Sequence, residues 1–247
     1  MSGTPTLRGN WRIYHHASID STNLEALRLA TREALPWTAV LADTQTAGRG
    51  RLGRSWVDVP GRCLLLTALV YAPHGSEGLL GPAMALAAAH TLQDLGARDI
   101  AVKWPNDVLL GGRKVAGILS EGPTSNLYAV GIGLNANASA DDLPEDLQER
   151  ATFLSMEVGR EVELAPLADT LLGHFEQHHF SLMSGQVSKI IEQLRALDCL
   201  AGREISARSG DETIEGHAVG WTDDGRLAII DAGGREIALD AGEVTLS

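Results

Sequence analysis

The chain has 247 residues, 44% of them hydrophobic, which is enough to bury the core of one large domain or of a large domain with a small appendage. Its formal net charge of −12 argues against general nucleic-acid binding, because phosphate neutralisation needs a basic face. The sequence contains no apolar run of about 18 residues and no secretory signal, and Cys63 and Cys199 lack ligand-like spacing. We therefore expect a cytoplasmic protein with reduced thiols, no membrane contact and no nucleic-acid partner.

Hydrophobic periodicity predicts strands and helices in the first four fifths of the chain. Helices are predicted over residues 21–34, 78–95, 166–182 and 188–197, and strands over residues 37–43, 63–72, 100–104, 114–121 and 127–134. Thr22 and Glu25 form a potential capping box at the start of the first helix. The acidic segment 138–149 is predicted to be a loop.

Short strand patterns replace helical ones from Asp198 onward. They cover residues 204–208, 213–221, 226–231 and 235–239, with hairpin turns at Asp224-Gly225 and Gly233-Gly234. This change predicts two domains, residues 1–197 and residues 198–247. The acidic surplus of the second domain indicates either a solvated surface or a face that receives a partner protein.

The segment from Gln45 to Trp56, QTAGRGRLGRSW, contains a literal match to the dinucleotide-binding pattern G-x-G-x-x-G. That fingerprint needs a helix directly after it and an acidic residue roughly 20 positions further on. Here Pro60-Gly61 follows without helical periodicity, and the region near Val70 carries no acid. The dinucleotide interpretation therefore fails.

The same residues suit an anion-binding loop. Glycines allow the backbone to bend and approach a ligand, and Arg49, Arg51 and Arg54 carry planar, permanently charged forks that match phosphate and carboxylate oxygens. Such a loop would close and order over an anion. A solvated arginine patch is the alternative.

Four segments carry a resemblance to a known family. Residues 21–23 read STN, residues 45–56 read QTAGRGRLGRSW, residues 103–121 read KWPNDVLLGGRKVAGILSE and residues 131–137 read GIGLNAN. In this order, over roughly residues 15–137, they resemble the biotin protein ligases. The resemblance implies an α+β fold, a mixed β-sheet with flanking helices related to class II synthetases, followed by a small SH3-like β-barrel. Because only about twenty residues precede STN, we expect a form without the N-terminal DNA-binding domain of some relatives.

The resemblance implies an ATP-dependent ligase that acts in two steps. The biotin carboxylate would attack the α-phosphate of ATP to give biotinyl-5'-AMP, and a carrier-protein lysine would then take the biotin and release AMP. ATP and biotin are expected as substrates together with Mg²⁺, with no tightly bound cofactor. The expected partner is a biotin carboxyl carrier protein of a biotin-dependent carboxylase, and a homodimer is compatible with the family.

The resemblance also assigns site residues by position in this sequence. Biotin binding is expected of Ser21, Thr22, Asn23, Gln45, Gly48, Arg49, Gly50, Arg51, Lys114, Gly117, Gly131 and Gly133. ATP and adenylate binding is expected of Arg49, Arg51, Arg54, Trp56, Asn106, Asp107 and Asn135. The catalytic assignments are Arg51 and Lys114, which would offset anionic charge, and Asp107, which would orient or deprotonate the incoming amine.

Several of these residues have simpler explanations. Glycine weakens a strand unless something approaches it closely, and crowded strand packing is as good a reason for the glycines as a flat ligand. Trp56 could stack on adenine or lie in the core. Asn106 could belong to a plain Asx turn, and Lys114 could be a solvated strand residue. His174 and His178 share a predicted helix at i,i+4 spacing, but no third metal ligand is evident.

Two rival functions stay open at this stage. A lipoate or octanoyl protein ligase would share the fold but activate another acyl chain, and GRGRLGRSW with KWPND favours biotin over it. A regulator that binds biotin or a nucleotide without catalysis would need neither Lys114 nor Asp107, and both are present.

Overall fold

The computed structural model describes residues 4–33, 35–72, 74–124, 126–210 and 212–246. Its larger part is built on an eight-stranded mixed sheet. The strands are β1 (Thr6–Arg8), β2 (Trp11–His16), β3 (Thr38–Ala42), β4 (Cys63–Tyr71), β5 (Ile100–Lys103), β6 (Asp107–Leu110), β7 (Arg113–Thr124) and β8 (Leu127–Asn135). They lie in the order β1-β2-β3-β4-β8-β7-β6-β5. Of the described strand pairs in this sheet, β2–β3 is parallel and the others are antiparallel.

Six α-helices accompany the strands in the described part of the chain. They are α1 (Thr22–Glu33), α2 (Leu80–Asp94), α3 (Glu145–Gln148), α4 (Leu154–Val158), α5 (Leu164–Met183) and α6 (Val187–Ala196). The central strand β4 shows how the helices are distributed, because successive side chains of a strand point to opposite faces. Leu64 and Leu66 belong to the core that contains α2 and α5, whereas Leu69 packs with Ala26 and Leu29 of α1. The sheet is therefore covered by α2 and α5 on one face and, in part, by α1 on the other.

A second, smaller sheet follows α6 and is antiparallel throughout. Its strands are β9 (Glu204–Ser209), β10 (Glu212–Trp221), β11 (Leu227–Asp231), β12 (Glu236–Leu239) and β13 (Glu243–Leu246), in the order β12-β11-β10-β9-β13. This five-stranded unit stands where the sequence predicts a barrel-like domain. It is not detached from the larger sheet, because the Trp104 indole N–H donates to the carbonyl of Gly225 at 3.2 Å, and side chains of both sheets, such as Val108 and Ile229, belong to one buried core cluster. A domain boundary at residues 197/198 stays a prediction.

The structure adds elements that periodicity did not predict. Strands β1, β2, β6 and β13 were not predicted, although β5 and β12, which are as short as β6, were. The predicted loop at residues 138–149 contains a 3₁₀ turn (Ala140–Asp142) and α3, which makes the loop prediction wrong for those residues. The last residue of the first predicted helix, Ala34, lies outside the described residues.

The expected capping box at the start of α1 does not form as predicted. The Thr22 hydroxyl donates to Gln45 Oε1 at 3.0 Å, and the Glu25 backbone N–H donates to the Ser21 carbonyl at 3.1 Å. Thr22 is therefore committed to a long-range contact rather than to its own helix.

Candidate functional site

Three glycines form a side-chain-free strip on the face of the sheet that carries α1. Gly117 of β7 pairs with Gly133 of β8, and Gly131 lies two residues before Gly133 on the same face. A Cβ atom at Gly131 would lie 2.0 Å from Asn23 Oδ1, and one at Gly133 would lie 2.3 Å from Trp56 Cε2. We call this strip the glycine floor. Close approach by Asn23 and Trp56 is therefore what requires glycine here.

The Trp56 indole lies on the glycine floor. Its ring would also be 3.0 Å from a Cβ at Gly117, and its buried Nε1 has no hydrogen-bond partner among the residues that the structure describes. The cavity that remains beside it measures about 30 Å³, which is room for about two water molecules. Its walls are formed by Ser21, Thr22, Asn23, Gln45, Arg49, Trp56, Gly117, Leu119, Gly131, Ile132 and Gly133. Nine of these eleven are site residues predicted from the sequence; Leu119 and Ile132 are additional.

Short polar side chains form one end of the cavity. Gln45 Oε1 accepts hydrogen bonds from the backbone N–H and the hydroxyl of Thr22, at 2.8 and 3.0 Å. These two donors fix the side-chain amide so that its Nε2 faces away from them. Thr67 of β4 adds a hydroxyl within 2.9 Å of the Thr22 hydroxyl. The group offers both donors and acceptors at a site shielded from water.

Asn23 links this end to an acid that the sequence analysis did not single out. Its Oδ1 accepts from Thr67 at 2.6 Å, and its Nδ2 donates to the Leu119 carbonyl at 3.1 Å and to Glu121 Oε2 at 2.8 Å. Glu121 in turn forms an ion pair with Arg49 at 3.0 Å. Asn23 is thus engaged on both ends of its amide and acts on the cavity by holding its neighbours in place. Glu121 is the last residue of the segment 103–121 that carries the family resemblance, but only the fold shows that it pairs with Asn23 and Arg49.

Residues 48–56, which we call the arginine loop, close on themselves as a narrow hairpin. Arg49 and Ser55 form an isolated antiparallel bridge, and the Gly50 N–H donates to the Arg54 carbonyl at 2.7 Å. A Cβ at Gly48 would lie 2.6 Å from the Trp56 carbonyl oxygen, so glycine is needed for the two sides to meet. Leu52 at the tip has a positive φ of 54° and is 68% exposed.

The arginine side chains of this loop are paired with groups of the protein. Arg51 donates to Asn106 Oδ1 at 2.9 Å and to the Gly242 carbonyl at 3.2 Å. Burial lowers the pKa of Arg51 below its ordinary value, against the opposing effect of nearby carboxylates, although a guanidinium stays charged at neutral pH. Arg54 forms an ion pair with Glu243 at the start of β13. Partners from both sheets therefore hold the loop.

Lys114 and Asp107 form an ion pair of 2.7 Å beside the glycine floor. The register of β6 against β7 shifts between Val108 and Leu109, which places one extra residue in β7. Such a bulge re-aims a side chain, and Lys114 accordingly lies beside Gly117 with its Nζ 5.8 Å from the Trp56 ring centroid. The strand position of Lys114 was predicted; its direction depends on the bulge.

Asn106 and Asn135, both predicted to bind ATP or the adenylate, lie in different surroundings. Asn106 donates through Nδ2 to the Ile118 carbonyl at 2.7 Å while accepting from Arg51, so it orients that arginine. Asn135 is 4% exposed, donates to the Thr152 carbonyl at 3.2 Å and lies within 3.8 Å of the Cys63 thiol. The structure does not place Asn135 in the wall of the cavity, and its amide is used inside the core.

The histidines of α5 also have partners within the protein. His174 Nε2 lies 2.7 Å from Asp94 Oδ2, and His178 Nε2 lies 3.1 Å from His90 Nδ1. Burial is the main reason that the pKa of His178 falls to about 4. Over the described residues, no group of three or more His, Cys, Asp or Glu side chains is arranged to hold a metal ion. The described helices are also too short or too polar to cross a membrane.

Comparison with protein families defines the class of protein to which this chain belongs. Residues 16–137 match the Biotin/lipoate A/B protein ligase family, and residues 201–247 match the biotin protein ligase C-terminal domain. The two matches cover the cavity with its arginine loop and most of the five-stranded unit, respectively. The class is therefore that of ligases that attach biotin or lipoate to proteins.

Individual relatives narrow this class. The chain is 37% identical over 242 residues to the biotin–[acetyl-CoA-carboxylase] ligase of Paracoccus denitrificans, covering 92% of this chain and 98% of that protein. It is 30% identical to the bifunctional ligase/repressor BirA of Bacillus subtilis (strain 168), covering 90% of this chain and 70% of that protein. The biotin protein ligase of Aquifex aeolicus, solved in complex with biotin and ATP, superimposes with a TM-score of 0.82 at 26% identity over 95% of this chain and 99% of that one. This chain belongs to the biotin protein ligase family.

Proposed function

We propose that the protein joins biotin and ATP into biotinyl-5'-AMP at the glycine floor and then transfers the biotin to a lysine of a biotin carboxyl carrier protein. The observation that carries this proposal is the convergence of Gln45, Thr22 and the Lys114–Asp107 pair around a floor that a flat group already occupies. A ureido ring, with paired N–H donors and a carbonyl, fits the polar end at Thr22 and Gln45.

The first half-reaction brings two anions together. A carboxylate oxygen of biotin forms a bond to the α-phosphorus of ATP while the bond from that phosphorus to the pyrophosphate oxygen breaks. Fixed positive charge at Arg49, Arg51 and Lys114 offsets the repulsion and stabilises the charge that develops in the transition state. Mg²⁺ would arrive as part of the ATP complex, since this ion usually keeps several waters and binds through phosphates and one or two carboxylates.

Trp56 must leave the glycine floor before biotin can bind there. The indole already fills the space directly above Gly133 and Gly117, where added Cβ atoms would lie 2.3 and 3.0 Å from its ring. Once displaced, the indole can cover the ligand or stack on adenine, as aromatic side chains do with bases. Closure of the arginine loop over the adenylate would then exclude water from a reactive mixed anhydride.

The second half-reaction needs a neutral amine on the carrier lysine. That nitrogen forms the amide bond to the acyl carbon, the acyl–phosphate oxygen bond breaks, and AMP leaves. Asp107 is the candidate to accept the amine proton, for which it must release Lys114, now 2.7 Å away. The carrier is assigned by analogy with the acetyl-CoA-carboxylase ligase of Paracoccus denitrificans.

Pyrophosphate exchange into ATP tests the first half-reaction. With Mg²⁺ present, we expect exchange that depends on biotin and is absent with lipoate. Exchange that occurs with lipoate but not with biotin would support the lipoate or octanoyl ligase alternative. Absence of exchange with both acids would contradict adenylate formation. Transfer of labelled biotin to a purified carrier domain over many turnovers would exclude a regulator that only binds.

A further inference from the structure

The arginine loop has little apolar anchoring of its own. Every residue from 48 to 56 is at least partly exposed, and Leu52 at the tip is 68% exposed. The backbone hydrogen bonds at Gly50, Arg54 and Trp56 all join one part of the loop to another. Apart from the Trp56 ring, which lies on the glycine floor and packs against the core cluster around Leu65 and Phe153, polar contacts of the arginine side chains must therefore decide whether the loop stays closed.

Two of the three arginines are held by the same corner of the C-terminal sheet. Arg51 donates to the carbonyl of Gly242, and Arg54 forms an ion pair with the adjacent Glu243. Glu243 is 28% exposed at its side chain and is steadied from within its own sheet by Arg208 at 3.4 Å. The hydrogen bond from Arg54 lowers the pKa of Glu243, so the carboxylate is charged at neutral pH. The sequence separation of 189 residues makes this a contact between distant parts of the chain.

We propose that Glu243 is a positioning residue by which the C-terminal sheet holds the arginine loop closed. The carboxylate does not face the glycine floor; it acts through Arg54, while the neighbouring Gly242 carbonyl holds Arg51. Opening of the loop, with release of Trp56 from the floor, requires both contacts to break together with those from Arg49 to Glu121 and from Arg51 to Asn106. The C-terminal sheet thereby sets how often the site opens.

The loop arginines make the opening directly measurable, because trypsin cleaves after arginine and reaches only the open loop. When opening and closing are fast, the cleavage rate follows the population of the open form. The rate at the Arg51–Leu52 bond, divided by the rate in a matched synthetic peptide, reports that population without reference to any reaction of the protein. Glu243→Gln should raise this ratio about 2- to 5-fold, the range for a partly exposed ion pair.

Three further variants isolate the contact. Arg54→Gln removes the same ion pair from the loop side and leaves the C-terminal sheet untouched, so it should raise the ratio by a similar factor. The double variant should add little to either single change, because both remove one interaction. Asp240→Asn makes the same change of charge three residues away, at a side chain that is 87% exposed and near Arg226 rather than the loop, and should leave the ratio unchanged.

Several outcomes would overturn the proposal. Equal cleavage in the wild type and Glu243→Gln, or fully additive effects in the double variant, would show that the ion pair does not hold the loop. Cleavage after the exposed Arg235 serves as an internal control. In the Glu243→Gln variant, cleavage after Arg235 could rise as much as cleavage after Arg51. Together with no effect of Arg54→Gln, that result would mean that Glu243→Gln unfolds the C-terminal sheet and does not open the loop.

A consequence for the reaction rests on the proposed function. Glu243→Gln should bind biotin faster and lose preformed biotinyl-5'-AMP faster by the same factor as in proteolysis. Glu243→Asp, which keeps the charge, should recover part of the retention. Absence of adenylate formation in the wild type, with the proteolysis results as expected, would contradict the proposed function and leave the role of Glu243 standing.

Discussion

The two faces of the eight-stranded sheet are filled in different ways. On one face, α2 and α5 bury large apolar side chains such as Leu66 and Phe175 completely. On the other, α1 covers only part of the sheet, and the glycine floor is covered by Trp56 from a loop held by ion pairs. Permanent packing gives stability on the first face. Under the proposed function, packing on the second face is exchanged for ligand, so mutations on the two faces should separate stability from binding.

Truncation of a core leucine should test the first face most strongly. Leu66 is fully buried on β4, and Leu66→Ala should lower the free energy of unfolding by about 2–5 kcal/mol through lost burial and a cavity. Urea unfolding measures this, with Leu7→Ala as control, because Leu7 is 72% exposed. The folded Leu66→Ala protein should bind biotin with wild-type affinity. A parallel loss of affinity would show that the two faces are coupled.

Removal of a charge should act on the second face alone. Lys114→Ala should slow adenylate formation on the order of 100-fold or more, because charge that stabilises the transition state is lost. The KM for ATP should change far less, and the urea midpoint should hardly move. Arg113→Ala is the matched control, since the adjacent side chain of a strand points to the other face. Equal losses in rate and in ATP binding would instead assign Lys114 to ground-state binding.

Added methyl groups should distinguish the faces at two glycines. Gly131→Ala would place a Cβ 2.0 Å from Asn23 Oδ1, and should destabilise the protein by about 1–3 kcal/mol. Gly81 lies within α2, and a Cβ atom added there would have its nearest contact with Ile118 at 3.7 Å. Gly81→Ala should therefore be neutral or stabilise the protein by up to about 1 kcal/mol. Thermal and urea unfolding of both variants measure this. A well-tolerated alanine at position 131 would contradict the close packing of Asn23 on the floor.

Acid should affect the first face through His178. Its pKa is held near 4, mainly by burial and also by His90 and His174, whereas an unfolded histidine titrates near 6.5. As the pH falls below about 6.5, the unfolded state therefore takes up a proton that the folded state does not. The free energy of unfolding decreases as the pH falls from there towards the folded pKa of about 4. We expect a loss of about 1–2 kcal/mol between pH 7 and pH 5. Burial also lowers the pKa of the neighbouring His90, where the nearby Asp94 carboxylate acts in the opposite direction.

His178→Gln should flatten the dependence of the unfolding free energy on pH over this range. An unchanged slope in His178→Gln would mean that His178 is not protonated on unfolding in this window.

Much of the fold followed from the sequence where the local signal was strong. The apolar run of β4 and the alanine-rich repeat of α2 predicted their elements to within two residues. The motif residues predicted nine of the eleven residues around the cavity. Strand β6 was missed, although β5 and β12 of the same length were predicted, because its first residue belongs to the turn motif Pro105-Asn106-Asp107.

The contacts made by the site residues could not be predicted in the same way. Trp56 was expected to stack on a ligand or lie in the core; it is half-buried, lies on the glycine floor and packs against the core cluster around Leu65 and Phe153. The partners of the loop arginines, Glu121 and Glu243, are 72 and 189 residues away from them. Glu243 belongs to the acidic surplus for which a solvated surface was one expectation. Nothing local marks one acid among many as the partner of an arginine, so only the folded chain shows it.

The position of Trp56 has a calorimetric consequence. Binding that buries apolar surface lowers the heat capacity in proportion to the area removed from water. Here the glycine floor is already dry under the indole, so an incoming biotin exchanges one buried surface for another. The heat-capacity change of binding should therefore be smaller than the area of the ligand alone would suggest. It should grow in Trp56→Ala, where water covers the floor before the ligand arrives.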